Sequence, residues 1–107
     1  MRLQLQCGMY EIEIHEAAES ELDEMRSYDR NRVLDEIEEQ LSLEPGTVTR
    51  RKKILEALEP PWDQLGPVWQ LSVGDFRVFY DILEDERLVV VRAVRKKPAH
   101  RTTDEVL

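Results

Sequence analysis

The sequence has little of what builds disulfide frameworks, metal sites or membrane spans. Its one cysteine, Cys7, excludes an internal disulfide and suits a reducing cytoplasm. The two histidines, His15 and His100, lie far apart along the chain, so we expect neither a dedicated metal site nor a cofactor. No apolar run approaches the roughly 18 residues of a membrane helix, and residues 1–8 lack the apolar segment of a signal peptide. These absences predict a cytoplasmic protein without membrane contact.

Length and composition predict a single globular domain. The 107 residues are 41% hydrophobic, which is enough for a chain of this size to bury a core without a disulfide or a metal ion. We expect residues 9–107 to form this domain. Residues 1–8 are predicted to be a leader or a short edge strand, because Gly8 interrupts the alternation of Leu3 and Leu5 with polar residues. Met9 is an alternative start.

The net charge of −8 conceals two oppositely charged regions. Residues 11–44 carry 13 acidic and 3 basic side chains, a balance of −10, whereas residues 45–107 carry 10 acidic and 11 basic ones, a balance of +1. The basic residues of the second region are concentrated in two runs, 50–53 and 92–101. If the fold brings these runs together, the protein has one acidic face and one basic patch.

The first half of the chain predicts one strand and two helices. Residues 10–14 alternate apolar with polar side chains, which is typical of a half-buried strand. Apolar residues then recur at helical spacing, predicting a helix that runs to about residue 28. Asp29 is a candidate N-cap for a second helix, and Pro45 ends it. Because almost no loop separates the two helices, we expect an antiparallel hairpin that covers one face of a sheet.

The second half predicts three strands, 68–73, 76–83 and 88–94, joined by short turns into an antiparallel meander. Residues 54–58 are interpreted as a short helical turn or an anchored loop, and residues 102–105 match a capping box that would start a short helix. The fold class is therefore α+β: an antiparallel sheet with an N-terminal strand, a helical hairpin on one face and a C-terminal three-stranded meander.

Residues 68–80, VWQLSVGDFRVFY, resemble the central hairpin of the RelE/ParE superfamily of bacterial toxins. That superfamily shows an apolar–polar–apolar strand, a Gly-Asp-Tyr/Phe-Arg turn and an apolar strand with a tyrosine. The opening strand, the acidic helical hairpin and the basic segment after residue 94 match it in the same order. The resemblance extends over about residues 9–107.

The resemblance implies the toxin of a type II toxin–antitoxin pair, neutralised by a cognate antitoxin protein. RelE-like members cleave mRNA in the ribosomal A site without a metal ion, which makes the ribosome and mRNA the expected partners. ParE-like members inhibit DNA gyrase by contact. We expect mRNA cleavage here, with gyrase inhibition and a degenerate, non-toxic member as the alternatives.

The resemblance also implies which residues act. Arg77 corresponds to the arginine that contacts the scissile phosphate, and Lys97, or a neighbour within 95–101, corresponds to the cation after the last strand. The ribonucleases carry lysines on the strand before the turn, where this chain has Val68 and Gln70. Their C-terminal tyrosine has no counterpart either. Both departures favour the contact inhibitor.

The residue types fit the chemistry of RNA cleavage. A guanidinium such as that of Arg77 can hold two phosphate oxygens, although an ion pair with Asp75 or Asp81 is the structural alternative. His100 is the candidate general acid or base, or else a surface histidine. We expect His15 to be structural and Trp62 and Trp69 to pack in or at the rim of the core. The remaining cations are candidates for holding RNA phosphates, or form a solvated surface that balances the acidic helices: Arg50, Arg51, Lys52, Lys53, Arg95, Lys96 and Arg101.

Overall fold

The computed structural model describes residues 2–3, 10–42, 44–55 and 68–96, and places their strands in one six-stranded sheet of order β1-β2-β6-β5-β4-β3. Two helices and a single 3₁₀ turn complete the described part, so the predicted α+β architecture is confirmed. The strands are β1 Arg2–Leu3, β2 Glu11–Ile14, β3 Lys52–Leu55, β4 Val68–Val73, β5 Phe76–Leu83 and β6 Leu88–Lys96. The helices are α1 Glu16–Asp23 and α2 Ser27–Leu41, and the 3₁₀ turn is Glu84–Glu86.

The C-terminal meander β4-β5-β6 is antiparallel, as predicted, but the sheet as a whole is mixed. Strand β2 pairs with β6 in parallel, with Glu11 opposite Leu88 and Ile14 opposite Val91. The chain between these two strands includes both helices and β3, β4 and β5, and so provides the long connection that a parallel pair needs. Beyond Ile14 the chain leaves the sheet, so no described strand pairs with the last residues of β6 on that side.

The boundaries of the helices differ from the prediction. Helix α1 ends at Asp23, five residues earlier than expected, and α2 begins at Ser27 with Arg26 at its N-cap position. Asp29 lies inside the first turn, where its carboxylate faces the positive end of the helix dipole. His15 is structural, as expected: its Nδ1 accepts a hydrogen bond of 3.1 Å from the backbone N–H of Ala17 and caps α1.

The prediction of a helical turn or loop near residue 54 is wrong, because Lys52–Leu55 forms edge strand β3. Its register places Lys52 opposite Leu71 and Leu55 opposite Val68. Ile54 packs against the main core, while Leu55 packs on the other face of the sheet. The strand therefore alternates between the two faces as a strand must.

The main core lies between the helices and one face of the sheet. The largest fully buried side chain is Tyr80, which stacks on Trp69 with ring centroids 6.1 Å apart. Its hydroxyl donates a 2.7 Å hydrogen bond to the carbonyl of Pro45, and burial raises its pKa. The other buried members are Ile12, Ile14, Ala18, Leu22, Val33, Ile37, Leu41, Leu71, Val73, Val78, Val89, Val91 and Val94.

A second, smaller cluster lies on the opposite face of the sheet. Val68, Phe79 and Ala93 are almost completely buried there, and Leu55 packs against them. The face that the helices leave uncovered therefore also contains buried apolar side chains.

Candidate functional site

At the end of the sheet where β4 turns into β5, three arginines occupy positions in one row across the strands. Arg77 on β5 lies directly opposite Arg95 on β6 and opposite Ser72 on β4. The backbone N–H of Ser72 in turn donates to the carbonyl of Arg51 at 2.7 Å. We call Arg51, Arg77 and Arg95 the arginine row. The strand register thus brings together cations from the two basic runs.

Arg77 is anchored by its own hairpin turn. Its Nη1 donates to the carbonyl oxygens of Gly74 at 2.8 Å and Phe76 at 2.9 Å. Gly74 has a φ of +58°, the conformation that a type II′ turn requires at its first central position and that glycine adopts without strain. Within the described residues Arg77 forms neither of the alternative ion pairs, with Asp75 or with Asp81; the turn carbonyls bind its guanidinium instead.

Arg95 is held by an acidic residue of α1. The Glu21 carboxylate accepts from Arg95 Nε at 3.2 Å with one oxygen and from the backbone N–H of Val94 at 3.1 Å with the other. It does so at the edge of β6 that β2 does not reach. Sequence reasoning missed Glu21, because it is one of many helical acids and nothing local separates it from its neighbours.

The run at residues 50–53 is split between different environments. Arg50 and Lys53 are exposed, and Arg51 is bound to Glu36 of α2 at 3.1 Å. Among the described residues, Gln40, Thr49, Arg50 and Arg51 line an open groove of about 570 Å³. These cations therefore remain at the surface as predicted.

Lys52, by contrast, is buried, with only 3% of its surface exposed. Its ammonium donates to the carbonyls of Gln40 at 3.2 Å and Glu44 at 2.6 Å, at and just beyond the C-terminus of α2. Burial lowers its pKa, and Glu44 partly opposes that shift. The structure separates Lys52 from the surface cations, because the carbonyl-rich end of a helix is a favourable site for an internal cation.

The immediate surroundings of Arg77 contain no described group that titrates near neutral pH. Its cross-strand neighbours are Ser72 and Arg95, and the next pairs along the same face join Phe79 to Gln70 and to Ala93. Gln70 and Val68, at the positions where the ribonucleases are expected to carry lysines, are 2% exposed. The face around Arg77 therefore offers hydroxyl, amide, apolar and guanidinium groups.

A buried ion pair lies further along the same strands. Asp81 is 4% exposed and accepts two long hydrogen bonds, of 3.4 Å each, from Nε and Nη2 of Arg92. Its other oxygen has no hydrogen-bond partner among the residues that the structure describes. Burial raises the pKa of Asp81 more than Arg92 lowers it. The pair sits next to an irregularity in the β5–β6 register at Phe79 and Tyr80, which no sequence pattern indicates.

Several predicted residues lie outside the described part of the chain. These are Lys97, His100, Arg101 and Trp62, together with the proposed C-terminal helix start at 102–105. Lys96 is described and exposed at the end of β6, opposite Phe76. Trp69 is 7% exposed and belongs to the core, as predicted.

The sequence matches, over residues 12–97, the family described as the ParE toxin of type II toxin–antitoxin system, parDE. The chain belongs to the ParE toxin family. This confirms the predicted RelE/ParE membership, and with it a toxin of a type II toxin–antitoxin system. No curated protein matches the ParE-family chain. Within its described residues, no helix is both long and apolar enough to cross a membrane.

Two solved structures share the fold of this ParE-family toxin. The archaeal RelE–RelB complex from Pyrococcus horikoshii superposes with a TM-score of 0.65 at 21% sequence identity, covering 88% of this chain and 99% of the matched one. The RelBE2 toxin–antitoxin complex from Mycobacterium tuberculosis gives 0.63 at 22% identity, covering 82% and 98%. At these identities the similarity establishes the fold.

Proposed function

We propose that this toxin inhibits its target by contact, without cleaving RNA, and that the target is DNA gyrase. The observation that supports the proposal is the set of neighbours around Arg77. Cleavage of RNA needs a base for the 2′-OH and an acid for the leaving 5′-oxygen, in addition to cations that stabilise the phosphorane. The described face supplies the cations alone.

The arginine row supports recognition of a partner. Arg77 lies on β5, Arg95 on β6 and Arg51 directly before β3, and each guanidinium is held by hydrogen bonds to turn carbonyls or to a helical carboxylate. Adjacent strands lie roughly 4.8 Å apart, so the backbone positions of the row extend over about 14 Å. Arginine is well suited to such a surface because its planar group binds carboxylates in a defined orientation.

A cognate antitoxin is the second proposed partner. The family places the chain in a toxin–antitoxin system, and both similar structures are complexes of a toxin with its antitoxin. We propose that an acidic antitoxin segment covers the cations of the sheet, in line with electrostatic complementarity.

Cleavage of mRNA on the ribosome is the competing function, and one observation favours it. Arg77 and Arg95 are direct cross-strand neighbours, and two adjacent guanidiniums can bind one phosphate. In that case His100, or another residue outside the described part, would supply the proton transfers.

The two functions are separated by assays on the purified toxin. We expect it to inhibit supercoiling of relaxed plasmid by DNA gyrase and to leave mRNA intact in a reconstituted translation reaction, as read by primer extension. Cleavage at the A site together with unaffected supercoiling would overturn the proposal. If neither reaction is affected, the degenerate alternative applies.

Arg77→Ala provides the matched test of mechanism. Its two hydrogen bonds to turn carbonyls are near the surface, so we expect a loss of about 1 kcal/mol in folding stability. Removing a donor that stabilises a phosphorane typically slows the chemical step by ~100-fold or more, whereas a contact inhibitor should weaken by about tenfold or less. The measurement is the concentration for half-inhibition, with the thermal midpoint as the control for folding.

A further inference from the structure

Glu21 occupies a position that the strand arrangement would otherwise leave open. Strand β2 ends opposite Val91, so the N–H of Val94 points past the end of its neighbour. One Glu21 oxygen accepts from this N–H at 3.1 Å, and the other accepts from Arg95 Nε at 3.2 Å. A backbone N–H and a guanidinium thus bind the two oxygens of one carboxylate.

The same carboxylate relieves a repulsion. Arg77 and Arg95 face each other across β5 and β6, and like charges in direct opposition destabilise a sheet. The turn carbonyls hold the guanidinium of Arg77, while Glu21 neutralises that of Arg95. The side chains of Arg95 and Glu21 are about one third exposed, so solvent and other anions have access to the pair.

We propose that the Val94–Arg95 end of β6 is a binding site for a carboxylate of an acidic peptide segment, and that Glu21 is the intramolecular carboxylate it displaces. The partner's aspartate or glutamate would take over both contacts that Glu21 makes. Identifying this segment as part of the antitoxin rests on the function proposed above, whereas the chemistry of the site does not.

The surroundings favour a peptide over nucleic acid. Glu16 and Asp23 of α1, the helix that carries Glu21, are exposed, and so is Glu24 at its C-cap position. A nucleic acid presents a phosphate at every nucleotide and would meet these acids with its whole backbone. A peptide can instead place one carboxylate at Arg95 and uncharged residues beside the acids.

The test measures binding, to the purified full chain at low salt, of a fluorescein-labelled peptide that carries one glutamate among serine and glycine residues. Glu21→Gln keeps an oxygen that can accept from the Val94 N–H, but it removes the negative charge that neutralises Arg95. Because an exposed ion pair contributes little, we expect the peptide to bind about two- to fivefold tighter. Glu24→Gln removes the same charge from the exposed C-cap position of that helix and should leave the affinity near that of the parent.

Arg95→Gln in the unaltered chain gives an independent check, and we expect it to weaken binding by a similar factor. An equal gain in Glu24→Gln would overturn the proposal, since net charge would then explain the effect. The proposal would also be overturned if Glu21→Gln increased the affinity for a single-stranded oligonucleotide of the same charge more than the affinity for the peptide. Unchanged peptide affinity in both Glu21→Gln and Arg95→Gln would overturn it as well. None of these readouts uses gyrase or translation, so failure here is distinguishable from failure of the proposed function.

Discussion

The sequence neighbours of a charged residue do not by themselves reveal its role in this protein. Lys52 stands in a run of four cations, yet its ammonium binds carbonyls at the end of α2. The alternation of Arg77 with Phe76 and Val78 predicts that Arg77 lies on the face away from the helices, and Val78 does belong to the helix-side core. Sequence alternation predicts which face of a strand a side chain occupies. The contact between Lys52 and the end of α2 depends on tertiary packing, which the local sequence does not indicate.

Lys52→Met tests the internal cation. The substitution keeps the length of the side chain but leaves the carbonyls of Gln40 and Glu44 without this donor, so we expect the free energy of unfolding to fall by about 1–2 kcal/mol. Lys53→Met, at the exposed neighbouring position, should change it by about 0.5 kcal/mol or less. Urea denaturation measures both. A neutral Lys52→Met would mean that burying the ammonium costs as much as its bonds contribute.

The pH dependence of folding stability in Asp81→Asn tests the role of the buried ion pair. The pKa of Asp81 is raised above its ordinary value of 3.8, so the folded parent holds this proton more tightly than the unfolded chain. Its contribution to stability is therefore complete below about pH 3.8 and is lost as the pH rises through the folded-state value. We expect the thermal midpoint of Asp81→Asn, relative to the parent, to improve as the pH is raised from that region towards 7.

Arg92→Gln should act in the opposite direction. Arg92 lowers the pKa of Asp81, and removing it strengthens the shift. The variant should therefore lose more stability than the parent over the same rise in pH. Parallel pH profiles for all three chains would contradict the assignment.

At the scale of elements, the local sequence pattern was sufficient to predict a helix or strand wherever one of its faces is buried. The meander, the two helices and β2 all follow from apolar periodicity. Strand β3 was missed because its four residues, Lys-Lys-Ile-Leu, include a buried lysine that breaks the alternation. The parallel pairing of β2 was not predicted, since its partner β6 lies at the other end of the chain.

Gly74→Ala tests the turn that holds Arg77. A φ of +58° disfavours any residue with a Cβ, and the strain costs about 1–2 kcal/mol. The new Cβ would also lie 3.0 Å from Arg32 Nη1, although that flexible side chain can move. Gly46→Ala is the control: its φ is not positive, its Cβ would be 3.6 Å from Ile82, and we expect no loss. Equal effects in a thermal unfolding comparison would exclude the turn as the cause.

In the whole molecule, the acidic and basic regions of the sequence lie next to each other. The helices carry nine acidic residues and pack beside the sheet that carries Arg77 and Arg95, and Glu36 and Glu21 bind the two outer members of the row. Sequence could predict an acidic and a basic region, but not which acids bind which arginines, because that depends on the register of β3 and β6.

Deleting residues 1–8 tests how much of the chain the domain needs. Of these residues the structure describes only β1, two residues that pair with Glu13 and Ile12 of β2. We expect the thermal midpoint to fall by no more than about 5 °C, equivalent to about 1 kcal/mol for a domain of this size. A larger drop would show that the leader contributes to the core and that the domain does not begin at residue 9.

The parallel pairing of β2 with β6 has a consequence for how the toxin is synthesised. Glu11 leaves the ribosome long before Leu88, its partner in the sheet, and contacts between such distant residues form late and slowly. A nascent chain shorter than about 90 residues cannot close its sheet and does not yet contain Arg95. Until then the unpaired edges of its strands are exposed to chaperones and proteases. Premature termination therefore yields fragments suited to degradation rather than a partly active toxin.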